Sequence, residues 1–378
     1  MNTKRNSNLE LLRILAMLMI ISAHLCGLGI AQQLSDAGNT SWNAAYFCQP
    51  VFYKRFFVLA MAHPSGKMGN AIFILISGYF MANKPSEAID LTKSGKKLLC
   101  MIGYAVVLLT AASAVFRQFA RNPLTGGTIT SFIDFTWFDA HSWWFPGYYF
   151  LVILIGKLFL NKWLAEADRK KHLMLVVSLL ALVEFQWTVL LINNLIDRLS
   201  TLFTGVFLYA LGGYIRKYDP FEKVRSWVFF AIIIGTYVII CINYYVHMLS
   251  SINDYDPSSG ELFIQGNILG YDNSSIYVFM VAISLFELFR RLPEFRSRII
   301  NYLAASTFMA FLLHCNELCT AIWMSKDWMT PLYESPLRFY FEFAAWVIGI
   351  FIVCAVLYGG YLLLGRLLKY LKPLAVRE

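Results

Sequence analysis

Ten long apolar runs, separated by short basic segments, govern what this chain can become. They cover about 9–30, 66–83, 98–119, 142–160, 173–193, 199–215, 226–248, 270–289, 299–324 and 338–366. Each is long enough, or nearly so, for a helix to cross ~30 Å of hydrocarbon. In lipid every backbone polar group must find its partner within the protein, which leaves helices or closed barrels. Continuous runs of this length, without strand alternation, predict an all-α polytopic membrane protein with about ten transmembrane helices. Hydrophobic residues make up 58% of the chain and charged residues 15%, well under the roughly 25% of soluble domains. The net charge of +9 is therefore no nucleic-acid footprint, and nucleic acid is not an expected partner. The lipid bilayer is. The first run exceeds the h-region of a signal peptide and is expected to be a retained helix.

The basic residues orient the spans. With the N-terminus inside, the segments assigned to the cytoplasm hold 23 Lys and Arg and those assigned outside hold 8. Such an asymmetry is what the positive-inside rule rewards, and it predicts that both termini are cytoplasmic. The outer segments 31–65, 120–141 and 249–269 carry turn formers such as Asp256-Pro257-Ser258-Ser259-Gly260. None is long enough for a separate catalytic domain. Residues 1–378 are expected to form one integral-membrane domain, with 51–62 interfacial or re-entrant and 199–215, rich in glycine, broken or tilted.

Against that background the ionisable residues inside spans stand out. Arg13 and His24 lie eleven residues apart in the first run. At ~100° per residue they fall within roughly 20° of one helix face, ~16 Å apart along the axis. Ionisable groups at such depths usually face the protein interior or a wet cavity. Arg13 alone also suits a snorkelling anchor, and His24 alone an interhelical hydrogen bond. A neutral imidazole is a fit general base, and a guanidinium suits an anionic group arriving from the basic side. Further polar residues fall within or beside other spans: Ser77-Gly78-Tyr79, His141 with Trp143 and Trp144, Glu184, and His314 with Asn316 and Glu317. The seven cysteines are scattered without a CxxC pair. Cys315 and Cys319, one turn apart, read more simply as small packing residues than as metal ligands, so no metal is expected.

The ordered set resembles a known family, the membrane-bound acyltransferase family 3, whose members O-acylate bacterial polysaccharides and related glycans. Arg13 and His24 are similar to its R-x10-H signature. The segment KMGNAIFILISGYFM resembles its G-x-x-x-V-x-x-F-F-x-x-S-G-Y stretch, with Gly69, Phe73, Ser77, Gly78 and Tyr79 in register. HSWWFPGYYF resembles a segment opening another helix, and NYLAASTFMAFLLHCN one that ends in His314. The resemblance spans about residues 8–320. Two positions depart from it: Phe311 stands where the family often has Tyr, and the stretch after the second span uses Lys93, Lys96 and Lys97 where the family favours Arg.

That resemblance implies transfer of an acyl group, most often acetyl from acetyl-CoA or another acyl-CoA as co-substrate, to a sugar hydroxyl of a cell-surface or lipid-linked glycan. No tightly bound cofactor is implied. His24 and Arg13 become the expected catalytic residues, with Arg13, Lys96 and Lys97 meeting a donor from the cytoplasm. Ser77, Gly78, Tyr79, His141, Trp144, Glu184, His314 and Glu317 become substrate-binding or supporting residues. The implied location is the bacterial cytoplasmic membrane, as a multi-pass protein. A glycan exporter on the same scaffold is the alternative; it would share the cavity and need no base.

Overall fold

The computed structural model describes residues 6–30, 33, 61–119, 143–184, 199–253 and 268–371. Among them there is no strand; the chain is a helical bundle. Its helices are α1 (Asn8–His24), α2 (Ala62–Met81), α3 (Leu91–Phe119), α4 (Trp144–Ile155) and α5 (Asn161–Glu166). They continue with α6 (Arg169–Glu184), α7 (Leu199–Tyr218), α8 (Ser226–Asn253), α9 (Ile276–Arg290) and α10 (Arg298–His314). The last three are α11 (Glu317–Ser325), α12 (Met329–Glu334) and α13 (Pro336–Leu371). Among the described residues, five helical stretches are long and apolar enough to cross a membrane: Asn8–Ile30, Leu91–Ala112, Trp144–Glu166, Ser226–Ser250 and Pro336–Leu368.

The helix α2 is the axis of the bundle, packed against α1, α7 and α9. Glycine makes this possible. A Cβ on Gly69 would lie 2.5 Å from the Ala16 carbonyl oxygen of α1. On another side of the same helix, a Cβ on Gly78 would lie 2.2 Å from the Tyr209 carbonyl of α7, and one on Gly212 would lie 2.5 Å from the Leu75 carbonyl. Backbones that approach this closely exchange dispersion contacts that lipid tails cannot supply. The family-like SGY stretch is thus partly a packing motif.

One end of the bundle is basic and tightly stitched. Glu287, fully buried, binds Arg290 at 2.8 Å and Arg291 at 3.2 Å, and Arg290 reaches Asp219 at 2.6 Å. Buried carboxylates persist only when paired in this way. The Ser7 hydroxyl donates to Asn301 and accepts from the Ser297 amide, and the Asn8 amide donates to the Leu292 carbonyl. These bonds hold the start of α1 against the α9–α10 turn. The Lys217 ammonium donates to the carbonyls of Leu164, Ala165 and Ala167.

Several boundaries differ from the sequence expectation, and three of them bear on the candidate site. The run 299–324 is two helices: α10 ends at His314, Cys315 leaves helical geometry (φ −117°, ψ 86°), and Asn316 caps α11 by accepting from the Cys319 amide. The second span begins at Ala62 rather than 66, because Pro64 occupies the first turn, where its missing N–H costs nothing. The third begins at Leu91, so Lys93, Lys96 and Lys97 ride on a helix and not on a connecting segment. The expected interfacial segment 51–62 lies outside the described residues except for Met61, a turn residue, and Ala62.

Candidate active site

The break at Cys315 matters because of what it leaves exposed to the bundle. His314 is the last residue of α10 and is fully buried. Its Nε2 lies 2.7 Å from Nδ1 of His24, the last residue of α1, and the two rings stack with centroids 5.0 Å apart. His314 Nδ1 lies 2.8 Å from the Ala310 carbonyl and 3.0 Å from that of Phe311. Carbonyls only accept, so His314 Nδ1 carries a proton. In the neutral ring its Nε2 is then an acceptor. His24 must therefore donate from Nδ1, which leaves the lone pair of His24 on Nε2. Two backbone carbonyls, through one histidine, fix the tautomer of another.

The chain around His24 supports this placement. Immediately after it, Leu25–Ile30 form a π-helical turn, a wide turn found often at functional sites. The HSWWF segment packs on α10: the Trp143 indole donates to the Leu312 carbonyl at 3.1 Å. Phe145 lies against Phe311, and Phe311 edges onto His314, with centroids 5.2 and 5.6 Å apart. Trp144 turns toward Phe145 and Tyr148. Two residues absent from the sequence-based list, His63 and Lys67, lie one turn apart on α2, and His63 sits against the π-turn that follows His24: a Cβ on Gly27 would lie 3.2 Å from His63 Nε2. The Ala-His-Pro-Ser start of α2 resembles a loop, which hid His63; a proline admissible in a first helical turn was the available signal.

Arg13 lies nearer the basic end, half-buried, with Nη1 donating to Glu10 at 2.9 Å and 3.2 Å. The eleven-residue spacing on one helix puts it ~16 Å from His24 along the axis. Ser77 and Tyr79 also lie toward that end. The Ser77 hydroxyl donates to the Phe73 carbonyl and meets the Tyr149 hydroxyl, both at 2.8 Å. Tyr79 accepts from Arg216 at 2.9 Å, and Gly78 packs on α7 as described. From His63 to Ser77 is fourteen residues of helix, ~21 Å, so these residues do not reach the histidine pair. Lys96 and Lys97 are exposed on the first turns of α3. Glu184 is the last residue of α6, with its Oε1 buried. His141 and the Glu317 side chain lie outside the described residues.

The molecule therefore has two polar poles joined by α1 and α2. One is a basic end with Arg13 on its approach; the other holds a nitrogen base of defined tautomer. A proton-accepting imidazole beside a bound hydroxyl is the requirement of acyl transfer. No curated protein and no solved structure gives a significant match to the chain. The family model described as acyltransferase domain matches residues 6–365, nearly the whole sequence. This multi-pass membrane protein belongs to acyltransferase family 3 and is an acyltransferase.

Proposed function

We infer that the protein transfers acetyl from acetyl-CoA to a hydroxyl of a cell-surface or lipid-linked glycan, in the cytoplasmic membrane of a bacterium. The observation that carries this reading is the His24–His314 pair, which presents His24 Nε2 as a base. The acceptor hydroxyl gives its proton to that nitrogen as its oxygen attacks the thioester carbonyl carbon. A C–O bond forms while the carbonyl π pair moves onto oxygen. Collapse breaks the C–S bond, and the leaving thiolate takes the proton back from the imidazolium. His314 acts throughout as a positioning residue. It holds the tautomer and shares the charge, a role that in other acyl-transfer sites falls to a carboxylate.

The donor enters from the cytoplasm at the basic end, where Arg13, Lys96 and Lys97 suit its phosphates. An extended pantetheine arm spans the depth from Arg13 to His24. The glycan arrives at the other pole. An exporter would need neither a fixed tautomer nor an arginine on the donor's path, so the acyl-transfer reading is favoured.

Purified protein in lipid vesicles, given acetyl-CoA with a labelled acetyl group and a lipid-linked glycan extract, tests the assignment. Label recovered on glycan as an alkali-labile ester supports it. Glycan moved across the vesicle membrane without label overturns it in favour of export.

A further inference from the structure

Past the break at Cys315, α11 packs on the π-turn that follows His24, and a groove of about 600 Å³ stays open between α11, α3 and α13. Leu108 and Ala112 of α3 form one wall, Trp346 and Gly349 of α13 a second, and Leu313 and Trp323 the third. None of the described residues that line it is charged. The space over Gly349 is open: a Cβ there would meet nothing within 4 Å. On α13 the lining runs from Ala345 to Leu357, twelve residues of helix, ~18 Å. Two of the three walls belong to stretches long and apolar enough to cross a membrane, Leu91–Ala112 and Pro336–Leu368, so the groove lies at hydrocarbon depth.

The two ends of the groove differ. At one, the Tyr104 hydroxyl of α3 donates to the Leu357 carbonyl of α13 at 3.1 Å, and the Tyr104 ring lies against Tyr361 with centroids 5.5 Å apart. That end is shut by contact between the walls. At the other end the walls run into charge. Glu342 sits three and four residues before Ala345 and Trp346, on the face of α13 that lines the groove. It accepts from the Lys326 ammonium, just past the end of α11, and from Arg338 Nε at 2.7 Å. Two cations thus share one carboxylate at the mouth, and the Arg338 side chain is 60% exposed. Asp327 follows Lys326, and Glu334 lies four residues before Arg338, so the mouth carries both signs of charge.

An apolar channel of this shape suits a flexible hydrocarbon chain. Water gains little there, because a bound water needs several polar partners, and an unfilled wall loses its dispersion contacts. The length suits one leaflet, whose share of ~30 Å of hydrocarbon is ~15 Å. The mouth suits a headgroup: a guanidinium meets phosphate through paired hydrogen bonds, and the carboxylates suit an ammonium. We propose that the groove is a resident-lipid site, in which one acyl chain of a zwitterionic glycerophospholipid lies between α3, α11 and α13 with its phosphate at Arg338 and Lys326. The lipid is not a reactant: neither His24 nor His314 lines the groove. It buttresses the helix break, because its wall includes Leu313, the residue before His314, whose carbonyl accepts from the Cys319 thiol at 3.2 Å. The site goes beyond the acyl-transfer reading and does not depend on it.

The test takes the full chain, stripped of lipid by detergent exchange, adds dioleoylphosphatidylethanolamine and reads binding by native mass spectrometry. The wild type should hold one such lipid ~10-fold or more tighter than dioleoylglycerol, which lacks the phosphate and the amine. Gly349→Phe and Ala112→Phe put a ring into the groove from opposite walls, and each should cut that affinity by ~10-fold or more. Arg338→Gln should erase most of the preference over dioleoylglycerol. Added phospholipid should raise the melting temperature of the wild type and leave that of Gly349→Phe where it was. Should Gly349→Phe fail to fold, Ala112→Phe carries the same expectation. Equal retention by the wild type and the ring-filled variants means lipid bound at the general surface, and overturns the proposal. Equal binding of dioleoylglycerol by the wild type overturns it too. So does a lipid-linked glycan as the mass retained by wild type purified from cells, which assigns the groove to an acceptor's tail.

Discussion

His314 meets His24 at Nδ1, the ring nitrogen opposite the one proposed as the base. The 2.7 Å contact runs from His24 Nδ1 to His314 Nε2, and the carbonyls of Ala310 and Phe311 occupy the other nitrogen of His314. The direction of every proton in this short chain follows from the fact that carbonyls cannot donate.

A side chain at 314 that still accepts a hydrogen bond should preserve part of this order. His314→Gln can present its amide oxygen to His24 Nδ1, whereas His314→Leu cannot. We expect His314→Leu to lower kcat by ~10²-fold and His314→Gln by ~10-fold, within the range of general-base losses. Equal losses in the two variants, measured with acetyl-CoA at saturation, would show that position 314 contributes volume and not proton order.

The apolar runs made the bundle legible, because hydrocarbon admits few alternatives to a helix. Arg13, His24 and His314 were legible for the same reason, since ionisable side chains are costly where those runs place them. The break after His314 was not legible from hydropathy, because CNELCTAIWM remains apolar on average. Asn316 capping a new helix was the one local signal. His63 was hidden by a proline that suggested a loop, whereas Lys67 falls inside the run 66–83 and reads from sequence only as an outer basic residue. The role of Gly78 was legible only in part: a motif can mark a close backbone crossing as readily as a substrate contact, and sequence does not say which backbone is crossed.

Arg13 touches Glu10 through one nitrogen of its guanidinium, and the proposed donor contact draws on the rest of the fork. Arg13→Lys keeps the charge and loses the planar fork. We expect the KM for acetyl-CoA to rise ~10-fold with acceptor KM little changed. Wild-type donor kinetics in Arg13→Lys would reduce Arg13 to an anchor for Glu10.

The crossing of α2 and α7 leaves no room for a methyl group. Gly78→Ala should lower stability by about 2–3 kcal/mol or prevent insertion, since the opposing atoms are backbone and cannot rotate away. Gly103→Ala and Gly349→Ala, whose added Cβ atoms meet nothing within 4 Å, should be neutral or mildly stabilising. Thermal unfolding in detergent reads the contrast; equal melting temperatures for all three variants would contradict the close crossing.

The positive-inside rule predicts that the basic end faces the cytoplasm. Cysteines introduced at Lys170 and Arg296 should react with an impermeant thiol reagent only after permeabilisation. One at Ser258 should react in intact cells, once the native cysteines have been replaced. Labelling of Ser258→Cys only from the cytoplasm would invert the site and separate Arg13 from a cytoplasmic donor.

The central claim is that His24 Nε2 removes the acceptor's proton. Its most direct test is the turnover of purified, folded His24→Ala with labelled acetyl-CoA and the glycan acceptor, beside donor binding measured on the same sample. We predict a fall in kcat of ~10²-fold or more with donor affinity retained. Near-wild-type turnover in protein that binds the donor normally would contradict the account.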